Sequence, residues 1–261
     1  MVLSTLMFHS VASRQVPRMK GPNSTSSRAD FLGDFLKLIA PNQVLGPEEM
    51  EAMRSVRIDH ARFPSNTVIK AVGDDADKTY VVRSGWGCSQ VDLPDGSRQI
   101  ADFQIRGDII GLRGARDKWD EALSSISHFE LYVVPTVDLN MVLTHVPSLA
   151  AHLIVALARN SAIRGERLVD IGRRSALVRT AHLLLELGTR LGKVGLASED
   201  EYDCPLTQKD LADALGLTPI HVNRTLAELR RSGLVRFQNG RVVFLDRNAM
   251  IRSSDFRDDY L

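Results

Sequence analysis

Apolar and polar positions along the chain change period three times. Asp30–Ile39 reads as a short helix, and Pro47–Met53 as a second. From Val56 to Val137 short apolar stretches, such as Thr79–Val82, Gln99–Phe103 and Phe129–Val134, alternate with turn signals. Those signals include Pro64-Ser-Asn66, Gly73-Asp-Asp75, Gly85 and Pro94-Asp-Gly96. Short strands at spacings near ten residues predict an antiparallel barrel or jelly roll.

Helical spacing takes over near Pro147, which suits a first helical turn. Leu149, Leu153, Leu157, Ile163 and Leu168 recur on a proline-free segment. About 24 residues at 1.5 Å each give roughly 36 Å, a length suited to a dimer seam or an interdomain spine. The competing reading is an ordinary packing helix, because Asn160 and Arg167 fall close to the apolar stripe. A second apolar helix follows over Ala176–Leu187, then a linker punctuated by Gly188, Gly192 and Gly195.

Residues 207–233 are the most informative. Thr207 is placed to cap a helix, with Asp210 three positions on, and Leu211 and Leu215 face inward around the small Ala212. Gly216 ends that helix and Leu217 plugs the corner. Thr218 caps the next helix, with Pro219 at its first position and Val222, Leu226 and Leu229 on one inward stripe. Gly233 stops it. Two short helices joined by a tight turn describe a helix-turn-helix. Residues 234–245 then alternate around Asn239-Gly240, a strong hairpin signal, which completes a winged helix.

The outward positions of the second helix are Pro219, Ile220, His221, Asn223 and Arg224. Arginine pairs with guanine O6 and N7, and asparagine with adenine N6 and N7, in the major groove. Arg224 ranks first as a base reader and Asn223 second, with Ile220 suited to a thymine methyl. Thr207, Thr218 and the helix N-terminus suit phosphate. Arg230 and Arg231 serve the backbone or solvent. The alternative is a helical hairpin with no nucleic-acid role; the adjacent Asn223 and Arg224, with the wing, argue against it.

A chain of 261 residues with 44% hydrophobic and 25% charged residues fits two globular units. The net charge of +1 hides basic excesses over 159–193 and 205–248, which suit phosphate. Two cysteines, Cys88 and Cys204, make neither a disulfide framework nor a metal cluster and fit a reducing cytoplasm. Cys88 is expected in a strand and Cys204, in the linker, is the better redox candidate. No apolar run is long enough for a membrane span. The start lacks a signal-peptide core, and the basic, Ser-rich residues 10–30 read as a flexible tail, with Met19 as an alternative start. No phosphate loop, metal spacing or nucleophile motif points to an enzyme.

Taken in order, Phe63-Pro64-Ser65, Gly73-Asp74, Tyr80–Gly85, Asp95-Gly96, Gly107–Gly111, Arg179-Thr-Ala181 and the 207–245 stretch resemble the Crp-Fnr regulators, relatives of the cyclic-AMP receptor protein. The resemblance covers roughly residues 45–248. It implies an α+β fold: an antiparallel β-roll of the cyclic-nucleotide-binding kind over 31–145, a dimerisation helix over 146–172 and a winged helix-turn-helix over 173–261, behind a tail at 1–30. It also implies a homodimer on a near-palindromic site of double-stranded DNA, with RNA polymerase as a further partner.

The departures concern the signal. Cyclic-AMP-binding members carry a carboxylate where this chain has Leu112, and an Arg-Ser pair in the region of Ala122–Ile126, which here lacks the arginine. An apolar side chain cannot replace those hydrogen bonds, so an effector other than cyclic AMP is expected. Gly107, Asp108, Gly111, Arg113, Ser124 and Ser125 are the candidate effector contacts, and Arg116 is a further anion-binding candidate. Residues 1–60 contain no cysteine for an iron–sulfur cluster, and the histidines at 9, 60, 128, 145, 152, 182 and 221 show no ligand spacing, so no cofactor or metal is expected. Some members have a glutamate where Ile220 stands, which removes a cytosine contact, whereas the arginine matches at Arg224. A second functional reading is a small-molecule or redox sensor acting on protein partners, with the winged helix as an adaptor.

Overall fold

The computed structural model describes residues 25–39, 45–112 and 118–261, with side chains from Leu32 onward. Arg113, Arg116 and the first part of the expected tail lie outside the described residues. Two helices, α1 (Thr25–Ile39) and α2 (Pro47–Ser55), precede eight strands. These are β1 (Asp59–Phe63), β2 (Val68–Lys70), β3 (Lys78–Ser84), β4 (Gly87–Asp92), β5 (Arg98–Gln104), β6 (Ile109–Ile110), β7 (Ala122–Ser125) and β8 (Phe129–Pro135). They form two antiparallel four-stranded sheets, ordered β1-β8-β3-β6 and β2-β7-β4-β5.

β8 shows why its sequence is almost wholly apolar. Alternate side chains leave opposite faces of a strand, and here both faces are covered. Phe129, Leu131 and Val133 fill the space between the sheets with Phe63, Val82 and Trp119. Tyr132 and Val134 point the other way, into a layer of helices that contributes Phe35, Met53, Leu139 and Leu149.

Three further helices follow: α3 (Thr136–His145), α4 (Pro147–Arg173) and α5 (Ala176–Lys193). α4 starts at Pro147 as expected, but a separate helix precedes it: α3 directly continues β8 and packs Leu139 and Val142 onto the β-roll. α4 has 27 residues, or about 40 Å. Its predicted stripe divides between two jobs. Leu149, Leu153 and Ile163 are buried within the chain, whereas Leu157 (39%) and Leu168 (74%) are exposed, as is Ile154 (65%) outside the stripe. Asn160 and Arg167, which interrupt the stripe, turn inward: Asn160 donates to the Ile109 carbonyl (3.4 Å) and Arg167 to Glu186 (2.9 and 3.0 Å).

The remainder holds β9 (Glu201–Asp203), α6 (Gln208–Leu215), α7 (Pro219–Arg231), β10 (Val235–Gln238), β11 (Arg241–Phe244) and α8 (Arg247–Ser254). Its core is continuous with the outer face of the β4–β5 sheet. Trp86, Cys88, Ile100 and Phe103 join one apolar cluster with Leu184, Leu187, Leu211 and Leu215. Cys204 corrects an expectation. It lies fully buried, and burial pushes its thiol up to about 12, so the residue packs instead of meeting oxidants. Cys88 is buried in β4, as expected for a strand cysteine.

Candidate nucleic-acid interface

α6 starts where Thr207 accepts from the Asp210 N–H (3.2 Å) while the Asp210 carboxylate accepts from the Thr207 N–H (2.8 Å). It ends at Gly216, which is left-handed, and the Leu217 N–H then donates back to the Ala212 carbonyl (3.0 Å). This turn aims α7 across α6. The Thr218 hydroxyl caps α7 by accepting from the His221 N–H (3.2 Å), and Pro219 occupies the first position. Val222 and Leu229 are buried and Leu226 is half-buried, so the stripe at i, i+4 and i+7 anchors the helix.

The opposite face is open. Pro219, Ile220, His221, Asn223 and Arg224 are all exposed, Ile220 at 75%. Asn223 donates to the Gln208 side chain (3.3 Å), a contact that ties the openings of the two helices together. Arg224 makes no hydrogen bond or ion pair among the described residues, so its fork of donors is available to a ligand. Thr207 and Thr218 flank the same face, both exposed.

β10 and β11 form the wing, paired from Val235–Phe244 to Gln238–Arg241. Asn239 and Gly240 both have positive φ (53° and 71°), the backbone that a two-residue hairpin turn demands. β9 adds a third strand to β11. Sequence reading assigned β9 to a linker because three residues carry too little periodicity to register. It also missed Arg236, exposed on the wing, and Lys209, exposed in the first turn of α6. The basic excess over 205–248 was the only signal for either. Arg241 answers to Asp203 and Glu201 (3.1 and 3.2 Å) and is less available.

The candidate effector residues do not converge on one opening. Asp108 is buried, where its carboxylate accepts from the Ile105 N–H (2.8 Å) and from Arg190 of α5 (2.7 Å). Gly111 has φ 84°, and an added Cβ would meet the Lys78 carbonyl at 2.9 Å and Trp119 at 3.0 Å, so this glycine is required by close packing. Ser125 accepts from the Thr67 N–H (2.8 Å) and donates to the Pro64 carbonyl (2.6 Å), pinning the turn before β2. Ser124 is buried in β7, in the sheet opposite the one that holds β6. Among the described candidates, only Gly107 and Asp108 border a common cavity. Leu112 is half-buried against the helical layer.

A second charged arrangement joins the two halves. Arg98 of β5 donates to Asp213 (2.5 Å) and Asp210 (2.6 Å) of α6, and Gln99 donates to the Ala214 carbonyl (3.2 Å). Arg190 donates to Asp102 (3.2 Å), Asp108 (2.7 Å) and Glu186 (3.0 Å). Burial works to lower the Arg190 pKa, but the three carboxylates outweigh it and hold the guanidinium charged.

Comparison with known proteins agrees with this architecture. Residues 60–145 match the cyclic nucleotide-binding domain, and residues 178–253 match the Crp-like helix-turn-helix domain. The chain is 32% identical over 195 residues to the nitrogen fixation regulation protein FixK of Azorhizobium caulinodans, covering 74% of this chain and 77% of that one. It is 26% identical over 199 residues to the transcriptional regulatory protein Btr of Bordetella pertussis, covering 76% and 82%. The structure of FixK2 from Bradyrhizobium japonicum superposes with a TM-score of 0.69 at 25% identity, covering 77% of this chain and 99% of that chain. A β-roll, a long helix and an open, capped helix-turn-helix with its wing, together with these similarities, make the chain a member of the Crp-Fnr family of transcription regulators.

Proposed function

We propose that the chain reads a near-palindromic DNA site as a homodimer, with α7 of each protomer in successive major grooves. The observation that carries this reading is the exposed Arg224, whose side chain has no partner among the described residues, beside Asn223 at the opening of a helix capped by Thr218. Arg224 pairs with a guanine edge and Asn223 with an adenine edge, while Ile220 packs on a thymine methyl. Thr207, Thr218, Pro219 and His221 approach the sugar–phosphate backbone, assisted by the α7 N-terminus. The exposed Ile154 and Leu168 support α4 as the dimer seam, because large apolar side chains on a helix face call for a partner. RNA polymerase is the proposed protein partner on DNA, and the cytoplasm the proposed setting; among the described residues no helix is long and apolar enough to cross a membrane.

The signal is an effector other than cyclic AMP. Leu112 offers no carboxylate to a ribose, and the hydroxyl of Ser125 is engaged within the fold. Selection of binding sites from a random DNA pool with the purified chain tests the reading. The expected result is a two-fold-related site with about ten base pairs between half-site centres. Arg224→Ala is expected to relax preference at one base position in each half-site; unchanged preference refutes the assignment of the reading residue.

A further inference from the structure

We infer that the cavity between α1, the β5–β6 turn and α4 binds a small carboxylate with an apolar body. This deepens the regulator reading and rests on the part of it that gives the β-roll an effector. The cavity has a volume of about 270 Å³. Leu38 and Ile39 of α1, Ile105 before the turn, Val155 and Ala156 of α4, and Val194 after α5 give it apolar walls. Neither Leu112 nor the Ser124–Ser125 pair lines it, so it is separate from the place where the cyclic-AMP-binding pattern is lost.

The polar groups are almost all basic. Arg106, His152, Arg159, Arg190 and Lys193 face one acidic side chain, Asp108. Most of these cations already have partners. Arg190 is surrounded by carboxylates, Arg106 donates to the Arg83 carbonyl (2.9 Å), and Lys193 donates to the Leu261 carbonyl. His152 uses Nδ1 on the Ser148 carbonyl (2.8 Å). Arg159 is different. It is half-buried, it lines the cavity, and its side chain makes no hydrogen bond or ion pair among the described residues; its charge acts only at a distance on the Asp108 carboxylate, which Arg190 already engages.

A partly desolvated guanidinium without an acceptor is costly, and a planar carboxylate matches its fork. The apolar walls require the rest of the ligand to be hydrocarbon-like. A volume of about 270 Å³ lies at the lower end of ligand pockets, which suits a small ligand. A medium-chain fatty acid or an arylacetic acid fits this description. Such a ligand would touch the sensor through Ile105 and the DNA-binding half through Val194, beside the buried Asp108–Arg190 pair that joins them.

The test is calorimetric titration of the full chain with octanoate and phenylacetate, with octanol as the neutral counterpart. Saturable binding of one carboxylate per chain is expected, weakened about tenfold or more by Arg159→Gln and lost when Ala156→Trp fills the space. Thermal melts confirm that each variant is folded, and Arg159→Lys replaces the glutamine variant if that one is not. Absence of saturable carboxylate binding at millimolar concentration overturns the inference. So does equal binding of octanol, or binding that ignores both substitutions. DNA binding on the selected site is measured with the same preparations. Intact DNA binding without carboxylate binding defeats the cavity assignment alone, and the reverse defeats the reading helix alone.

Discussion

Two groups of arginines occupy the chain, and they live in opposite surroundings. Arg98, Arg167 and Arg190 lie at the junction of the β-roll with the DNA-binding half, each held by carboxylates at 2.5–3.2 Å. Arg224, Arg230, Arg231 and Arg236 lie on α7 and the wing, exposed and without side-chain hydrogen bonds among the described residues. The same side chain therefore meets two kinds of surroundings. Where carboxylates surround it, its charge is neutralised and its position fixed, so it ties elements together. Where they are absent, its charge stays available for phosphate and base edges. The two helices of the reading motif divide the same way: α6 is fastened to β5 through Asp210 and Asp213, while α7 keeps its outer face clear.

The strongest way to break this contrast is Arg190→Ala. It leaves Asp102, Asp108 and Glu186 buried without their cation and is expected to cost about 3–5 kcal/mol of stability, read by denaturant unfolding. Loss below about 1 kcal/mol would show that these carboxylates find other partners. Arg224→Ala is the mirror case. It should leave the melting temperature unchanged while costing about 1–3 kcal/mol of DNA binding on the selected site, read by fluorescence anisotropy. A fall in stability would place Arg224 among the structural arginines.

Arg98→Gln comes next. Its partners are partly exposed, so the expected loss is about 1 kcal/mol or somewhat more, with faster amide exchange in α6 than in β8. Equal exchange in both elements would mean that the shared apolar cluster alone holds the halves together. Arg236→Gln should reduce the slope of log K against log salt by about one, with base preference intact. The smallest effect belongs to an exposed ion pair. Hydrogen bonds from Arg57 hold the Asp138 carboxyl below the usual carboxylate range. Its contribution is therefore present above about pH 4 and fades as pH falls through the depressed value. Asp138→Asn should slightly flatten the acid limb of a melting curve taken against pH; an unchanged limb would show that the pair contributes nothing measurable.

The reading motif was legible because its signals are local. Thr207 with Asp210, Gly216, Thr218 with Pro219, and Asn239-Gly240 each act within a few residues, and each appears in the structure at its expected place. The β-roll was legible as a texture of short strands and turns, though not as a pairing order. α3 escaped notice because only Pro135, the last residue of β8, marks the boundary between them, and the dimer stripe was drawn through Leu149, Leu153 and Ile163, which the fold keeps for its own core. Periodicity marks apolar faces but does not say which body covers them. The candidate effector residues were gathered from one sequence neighbourhood, and the structure divides them between two sheets, a buried ion pair and a tight turn.

By itself the sequence determined the elements whose causes are short-range: the capped helices, the wing turn, the strand texture and the arginine on the outward face of α7. Tertiary structure alone decided which arginines are neutralised, which apolar face of α4 is left open, and that Cys204 is sealed within the core. The physical reason is that caps and turns are satisfied by neighbours a few residues away. Charge pairing and burial depend on groups such as Arg98 and Asp213, which lie far apart along the chain and meet only when the two halves close.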